Sequence, residues 1–266
     1  MSETVHSFTH EAMTTRFEVI VAGRKRDYAG QASGAVFREF DRIEGLLSKY
    51  NAGSDVGQIN LLKAGESVRV GIETIECLEI AAWAHAASGG LFDPTLGTGF
   101  ERLKVDRAAF TVGWSADGAG KLDLGGVGKG YSIDKAAEIL KDWDVPEAVI
   151  NGGTSTVLAL GRAWELGVGG PWGEKAGFTT VTLQDQALSG SGTEVKGEHI
   201  LNPKTGNPAT RHLAAWAIHP SAAKSDALST AFMMMTPENI NQLRENHPEV
   251  TAYVVKQDET LIKIGV

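Results

Sequence analysis

Leu122-Asp123-Leu124-Gly125-Gly126-Val127-Gly128-Lys129-Gly130-Tyr131-Ser132-Ile133-Asp134-Lys135-Ala136-Ala137-Glu138-Ile139-Leu140 reads as a strand, a glycine turn and a helix. Four glycines, Gly125, Gly126, Gly128 and Gly130, open backbone conformations closed to other residues and let a ligand lie against main-chain N–H and C=O groups. Ile133, Ala136, Ala137 and Leu140 then recur at helical spacing, so the turn feeds a helix N-terminus, where free N–H groups and the macrodipole favour a phosphate. The letters are not a Walker loop, because Gly130 rather than Ser or Thr follows Gly128-Lys129. Nor are they a dinucleotide fingerprint, because Tyr131 stands where the third glycine is required. Two readings stay open at this point: a cradle for a phosphorylated ligand, and a tight packing corner.

Of the 266 residues, 42% are hydrophobic and 22% charged, an ordinary globular balance able to bury a substantial core in one or two domains. The formal net charge of -8 argues against a nucleic-acid or acidic-membrane surface, so a bound phosphate calls for a metal. Cys77 is the only cysteine, which excludes an intrachain disulfide and a cysteine metal cluster. Glu3, His6, His10 and Glu11 interrupt the N-terminal stretch, which therefore reads as neither signal peptide nor lipid-attachment segment. With Met1 as the native start, the expected location is cytoplasmic, with no membrane anchor. No stretch approaches the length of a transmembrane helix.

Residues 17–22 read as a strand, and Val36, Phe40, Ile43, Leu47 and Tyr50 then mark one core-facing side of a helix. Residues 51–60 are polar and turn-rich; residues 72–88 form a second helix, with Gly89-Gly90 as its C-terminal cap and Phe92-Asp93-Pro94-Thr95 just beyond. Downstream of the central helix, short strands are expected at 148–150, 156–160, 165–168, 179–183 and 187–188, separated by glycine-rich turns, with another at 214–218. An apolar helix over 225–235 follows, then a helix opened by Thr236-Pro237 and ending near His247-Pro248, and a closing hairpin from 250–255 and 261–264. Strands and helices interspersed without regular βαβ alternation give an α+β class.

Asp226 and Thr230 stand four apart on the apolar helix, so their oxygens project from one face about a turn apart. A hard cation such as Mg²⁺ can use both, with substrate phosphates completing its shell. The same pair also fits an Asp favoured by the helix dipole and a Thr bonded back to its own helix. His199 precedes a turn-rich loop, Ile200-Leu201-Asn202-Pro203-Lys204-Thr205-Gly206, and is either a general base or a residue that holds the loop. No Ser-His-Asp order or HExxH motif supports a hydrolase of those classes.

Taken in order, these segments resemble the ApbE family of FAD:protein FMN transferases. The matching blocks are Ala12-Met13-Thr14-Thr15; Leu47-Ser48-Lys49-Tyr50 with Ser54 and Asn60; Leu91-Phe92-Asp93-Pro94-Thr95; Asp123 to Tyr131 with Asp134; Asn151-Gly152-Gly153; Ser189-Gly190; His199-Ile200 with Pro203 and Thr205-Gly206; and Ser225 to Thr230. Three segments depart from the family pattern: Thr14 replaces the usual Gly, Asn202 replaces the usual Asp, and Ser189-Gly190-Ser191-Gly192 lacks the acidic and aromatic residues that often follow Ser-Gly. The resemblance implies an ApbE-like, T-fold-related α+β fold over residues 1–266, a β-rich body whose flanking helices enclose a flavin cleft. It also implies FAD contacts from Met13, Tyr50, Leu91, Phe92, Asp93, Asp123, Lys129 and Ile200. Mg²⁺ would be held by the Gly126 carbonyl, Asp226 and Thr230. The implied reaction transfers FMN from FAD to a threonine of a partner flavoprotein and releases AMP, with Asp226 as a metal-holding catalytic residue and His199 as the local candidate for the hydroxyl proton. An FAD pyrophosphatase and a non-catalytic FAD-binding protein are the alternatives.

Overall fold

A computed structural model describes residues 4–169, 177–193 and 200–265. The chain opens with β1 (Val5–Ala12) and β2 (Thr15–Ala22), a hairpin in register from Val5 opposite Ala22 to Ala12 opposite Thr15. Its two-residue loop is Met13-Thr14, with φ of 50° and 57°. Two left-handed residues in succession suit the right-handed twist of a hairpin, at a steric cost for a β-branched Thr. The sequence reading missed β1, whose residues alternate between exposed and half-buried and show no apolar run.

Helix α1 (Arg26–Leu47) buries Ala29, Ala32, Val36, Phe40, Ile43 and Leu47, the expected stripe. Tyr50 is not on it: the helix stops three residues earlier, and the Tyr50 side chain is 84% exposed. The stretch read as turns contains helix α2 (Asp55–Leu61), started by Ser54, whose hydroxyl accepts the Gly57 N–H at 2.9 Å. A small sheet follows, of β3 (Ser67–Arg69), β4 (Leu103–Asp106) and β5 (Thr111–Trp114), with β5 in the middle. Between β3 and β4 runs helix α3 (Ile72–Ala87), ended by Gly89 and Gly90 at positive φ.

The quoted central stretch contains no strand. The main chain at Leu122 is held by the Asn60 side chain, whose Oδ1 accepts its N–H at 2.6 Å and whose Nδ2 donates to its C=O at 2.9 Å. The Asp123 N–H goes to the Pro94 carbonyl at 2.7 Å. These bonds meet the segment's main-chain needs without a sheet. Helix α4 (Gly128–Asp142) follows as expected, with Ile133, Ala136, Ala137 and Leu140 buried.

After it come β6 (Ala148–Gly152), β7 (Thr156–Leu160), β8 (Trp164–Val168), β9 (Thr179–Leu183), β10 (Gln186–Gly192), β11 (Ala214–His219), α5 (Ala222–Phe232), α6 (Pro237–Asn246), β12 (Thr251–Val255) and β13 (Leu261–Ile264). Eight strands form one antiparallel sheet in the order β1-β2-β6-β7-β10-β11-β12-β13, and β8 and β9 make a separate hairpin. Both faces of the large sheet are covered. On one face Leu158, Leu160 and Ala187 pack with α1 and α4, and Ala215, Ala217, Ala252 and Val254 pack with α3 and α5. On the other, Ala159, Leu188, Trp216, Ile218, Tyr253 and Val255 pack beneath Val168 and Leu183 of the β8–β9 hairpin. Period-two alternation therefore buries both sets, which is why every residue of β11 is buried. This is the expected α+β class. Among the described residues no helix is long and apolar enough to cross a membrane.

Candidate functional site

The site begins where α4 and α5 cross. An ideal Cβ on Gly130 would lie 2.2 Å from the Ala222 carbonyl oxygen, so only a glycine lets the two backbones come this close. That contact turns the first N–H groups of α4 toward α5, and the Gly130 N–H donates to Asp226 Oδ2 at 3.1 Å. Asp226 is 3% exposed. The relation is reciprocal: Asp134 of α4 accepts the N–H groups of Ala222 at 2.7 Å and Ala223 at 3.0 Å, and the Ser221 hydroxyl at 2.7 Å. Burial nevertheless pushes the Asp134 carboxyl up. Each helix thus caps the N-terminus of the other with a carboxylate.

None of the four central glycines has a positive φ. Their role is close approach rather than unusual backbone. At Gly126 a Cβ would stand 3.1 Å from the Phe92 ring and 3.5 Å from Thr230 Oγ1, which puts the main chain of the turn beside α5. Gly130 is the packing corner, and Gly126 is the backbone opening toward Phe92 and Thr230. The first-turn N–H expected to attract a phosphate is already taken, at Gly130, by Asp226.

Thr230 Oγ1 lies 3.5 Å from the Asp226 carbonyl oxygen and 3.3 Å from Ser191 Oγ. Ser191 Oγ is 2.9 Å from Ser229 Oγ, and Ser229 Oγ donates to the Asp226 carbonyl at 2.8 Å. Neither Ser191 nor Ser229 is among the site residues expected from the sequence. Ser191 stands at the departure after Ser189-Gly190, the one signal that marked it. Among the described residues no group of three or more His, Cys, Asp and Glu side chains gathers to hold a metal. The Cys77 thiol is pushed well up by burial and by the Asp226 carboxylate, so no thiolate is on offer. A carboxylate, hydroxyls and a nearby main-chain carbonyl make an all-oxygen donor set, the kind that suits a hard cation.

Around this crossing lie other predicted residues. Asp123 Oδ2 pairs with Lys49 Nζ at 2.6 Å, and its Oδ1 accepts the Gly125 N–H at 2.9 Å. The bond to Asp123 holds the Lys49 ammonium above its usual range. The Lys49 ammonium also sits 5.1 Å from the centre of the exposed Tyr50 ring. Lys129 Nζ reaches the Gly125 carbonyl at 3.2 Å. Phe92 is anchored by its N–H to Ser88 Oγ and by its carbonyl, which is 2.9 Å from His85 Nδ1. Asp93 spends its carboxylate on its own loop, accepting the Thr95 N–H and hydroxyl at 2.7 Å and the Gly97 N–H at 3.0 Å. Met13 touches both helix-side cores, Leu91 packs against one of them, and Ile200 is buried at the start of the Asn202–Gly206 loop. In that loop Asn202 Oδ1 accepts the Lys204 N–H at 2.9 Å, a local turn bond open equally to an Asp. His199 lies outside the described residues.

A cleft of about 510 Å³ opens beside Asp93, lined also by His85, Gly90, Gly97, Arg102 and Lys204. It draws on two of the predicted segments and on none of residues 123–130. A second hollow of about 590 Å³, between Phe8, Arg26, Gly34 and Trp143, contains none of the predicted site residues.

The α+β body is a fold shared with solved structures of a known class. The ApbE family model matches residues 13–254, and the chain belongs to the ApbE family. A relative from Chlamydia pneumoniae named FAD:protein FMN transferase is 27% identical over 284 residues, spanning 89% of this chain and 88% of its own. One of the same name from Treponema pallidum is 26% identical over 278 residues, covering 84% and 76%. The crystal structure of the ApbE protein of Thermotoga maritima superposes with a TM-score of 0.85 over 98% of this chain and 97% of its own, at 24% identity.

Proposed function

We propose that the chain transfers FMN from FAD to a threonine hydroxyl of a partner flavoprotein, with Mg²⁺ as cofactor, and that residues 1–266 act in this as a single unit. The observation that carries this reading is the meeting of the glycine turn with α5. Asp226, 96 positions from Gly130, is bonded to it, and Thr230 stands against Gly126. Relatives named for this activity support it.

In this reading the Gly126 carbonyl, Asp226 and Thr230 hold the cation. When bound, Mg²⁺ neutralises charge on a diphosphate and favours in-line displacement. The chain's own groups do the rest. Lys129 brings a further positive charge to the turn, four residues from the carbonyl it binds. The exposed Tyr50 ring offers a face to a flavin, with Met13 and the buried Phe92 and Ile200 as apolar backing, and Asp123 offers a carboxylate fixed in place by Lys49 and the Gly125 N–H. The acceptor oxygen bonds to the FMN-side phosphorus as the bond from that phosphorus to the bridging oxygen breaks. AMP leaves with the electron pair, and the hydroxyl proton passes to a base, for which His199 is the candidate.

The test is intact-mass analysis of an acceptor domain bearing Asp-x-x-Ser/Thr-Gly-Ala/Ser-Thr, incubated with the protein, FAD and Mg²⁺. The expected product is one FMN on the terminal Thr and one AMP released, with no adduct when that Thr is replaced by Val. Free FMN with AMP and an unmodified acceptor would mean hydrolysis instead; intact FAD would mean binding alone.

A further inference from the structure

We infer that Ser191 and Ser229 are positioning residues that set the direction of the Thr230 hydroxyl, turning its lone pairs toward a cation. This rests on the reading of Asp226 and Thr230 as metal ligands. It follows from counting protons. A carbonyl oxygen only accepts, so the 2.8 Å contact between Ser229 Oγ and the Asp226 carbonyl uses the single Ser229 proton. The 2.9 Å contact between Ser229 and Ser191 must then be donated by Ser191. That uses the Ser191 proton, so in the 3.3 Å contact between Ser191 and Thr230 the donor can only be Thr230.

The chain of hydroxyls has one direction: Thr230 to Ser191, Ser191 to Ser229, Ser229 to the Asp226 carbonyl. A hydroxyl that coordinates a cation does so through a lone pair, and its proton must point elsewhere. Without Ser191, the other acceptor in reach of Thr230 is the Asp226 carbonyl, farther away at 3.5 Å and already bonded to Ser229. Ser229 is fully buried and Asp226 nearly so, so the end of this chain exchanges little with solvent. The two serines come from different elements, and only the Ser191 hydroxyl touches that of Thr230 directly. Ser229 comes from the same helix, while Ser191 comes from β10, which ties the sheet to the orientation of a single hydroxyl.

The experiment measures binding of Mn²⁺ alone, by the loss of its free-ion electron paramagnetic resonance signal, so no turnover is needed. Ser191→Ala and Ser229→Ala should each weaken Mn²⁺ about three- to tenfold, the worth of one hydrogen bond. Ser191→Thr, which keeps the hydroxyl, should restore most of the affinity. In a Thr230→Val background, where no hydroxyl remains to be oriented, Ser191→Ala should have no further effect. A merely structural role for Ser191 would give the same loss in both backgrounds, and that result would overturn the inference. If Asp226→Asn and Thr230→Val lose Mn²⁺ while both serine variants keep it, the hydroxyl chain is refuted and the metal reading stands. If Asp226→Asn and Thr230→Val bind Mn²⁺ as the parent does, the metal reading falls and takes this inference with it. Thermal melts identify any variant that has lost its fold.

Discussion

Asp226 Oδ2 accepts the main-chain N–H of Gly130 at 3.1 Å, so a side chain proposed as a metal ligand is also the N-terminal cap of the helix that follows the glycine turn. One of its two oxygens is engaged this way. The other receives no hydrogen bond among the described residues, and it is the one free to meet a cation.

Asp226→Asn tests that division of labour. Asn still offers an oxygen to the Gly130 N–H, so the thermal midpoint should stay within a few degrees of the parent, the shift expected of about 1 kcal/mol. Loss of the anionic oxygen should weaken Mg²⁺ binding by about tenfold or more, equivalent to roughly 1.4 kcal/mol or more of a charge-assisted contact. Calorimetric titration with Mg²⁺ and a melt in chelator read the two effects separately. A large loss of stability without a loss of metal affinity would mean that Asp226 is a cap and nothing more.

Gly130→Ala should destabilise. In a helix, Gly to Ala ordinarily gains about 0.5–1 kcal/mol, because Ala restricts the unfolded chain and favours helix. Here the new methyl would meet the Ala222 carbonyl and push α5 away, an overpacking cost of about 1–3 kcal/mol. Gly45→Ala in α1 is the control, since its Cβ would have nothing within 4 Å, and it should show the ordinary gain. Urea denaturation of both variants measures the difference in sign.

Thr14→Gly should stabilise. Thr14 sits at φ 57° in the β1–β2 loop, where a residue with a Cβ costs about 1–2 kcal/mol. Glycine removes that cost and adds back about 0.4–1 kcal/mol of unfolded-chain entropy, leaving a net gain of up to about 1.6 kcal/mol. A lower urea midpoint for the variant would show that Thr14 makes compensating contacts.

Stability should fall on mild acidification because of His219. Its ring is 5% exposed, Nδ1 accepts the Ser221 N–H at 2.8 Å, and burial together with Lys224 lowers its pKa to about 4, with Glu249 at 3.4 Å working the other way. The unfolded ring takes its proton near pH 6.5, at about the ordinary histidine value. Below that pH the unfolded chain binds more protons, so the stability present above about pH 6.5 declines as pH falls toward about 4, by on the order of 3 kcal/mol at completion. His212, lowered by burial, slopes the same way. His219→Asn, which keeps an acceptor for Ser221, should flatten urea-derived stability across this window; an unchanged slope would assign the effect to other groups.

The α+β class and the helix faces of α1, α3 and α4 were legible because repeating apolar positions survive as buried faces. Helix α2 was not, since its signal is a Ser54 cap and three buried residues within a polar stretch. Tyr50 continued the spacing of α1 past the point where the helix ends, and only exposure separates it from that stripe. The central strand failed because Leu122 is bonded to a side chain, Asn60, rather than to a neighbouring strand, and no local pattern records such a partner. At the site, the pairing of Asp226 with Thr230 could be seen from their spacing on one helix. Its approach to Gly126 could be inferred only through the family resemblance, and the hydroxyl chain through Ser191 depends on a contact 38 positions apart that no motif announces.

The large sheet lists its strands in the order in which they occur in the chain, from β1 to β13, with the remaining elements as excursions. A polypeptide emerging from the ribosome can therefore add each new strand to an edge that already exists, and no earlier pairing has to open to admit a later one. The crossing of α4 and α5 follows a different schedule. The Gly130 N–H waits through the synthesis of six further strands, four of this sheet and the two of the hairpin, before Asp226 arrives, after β11. A nascent chain halted before that point can own most of its sheet and still lack the crossing, so the proposed cation site would be completed late and in a single step.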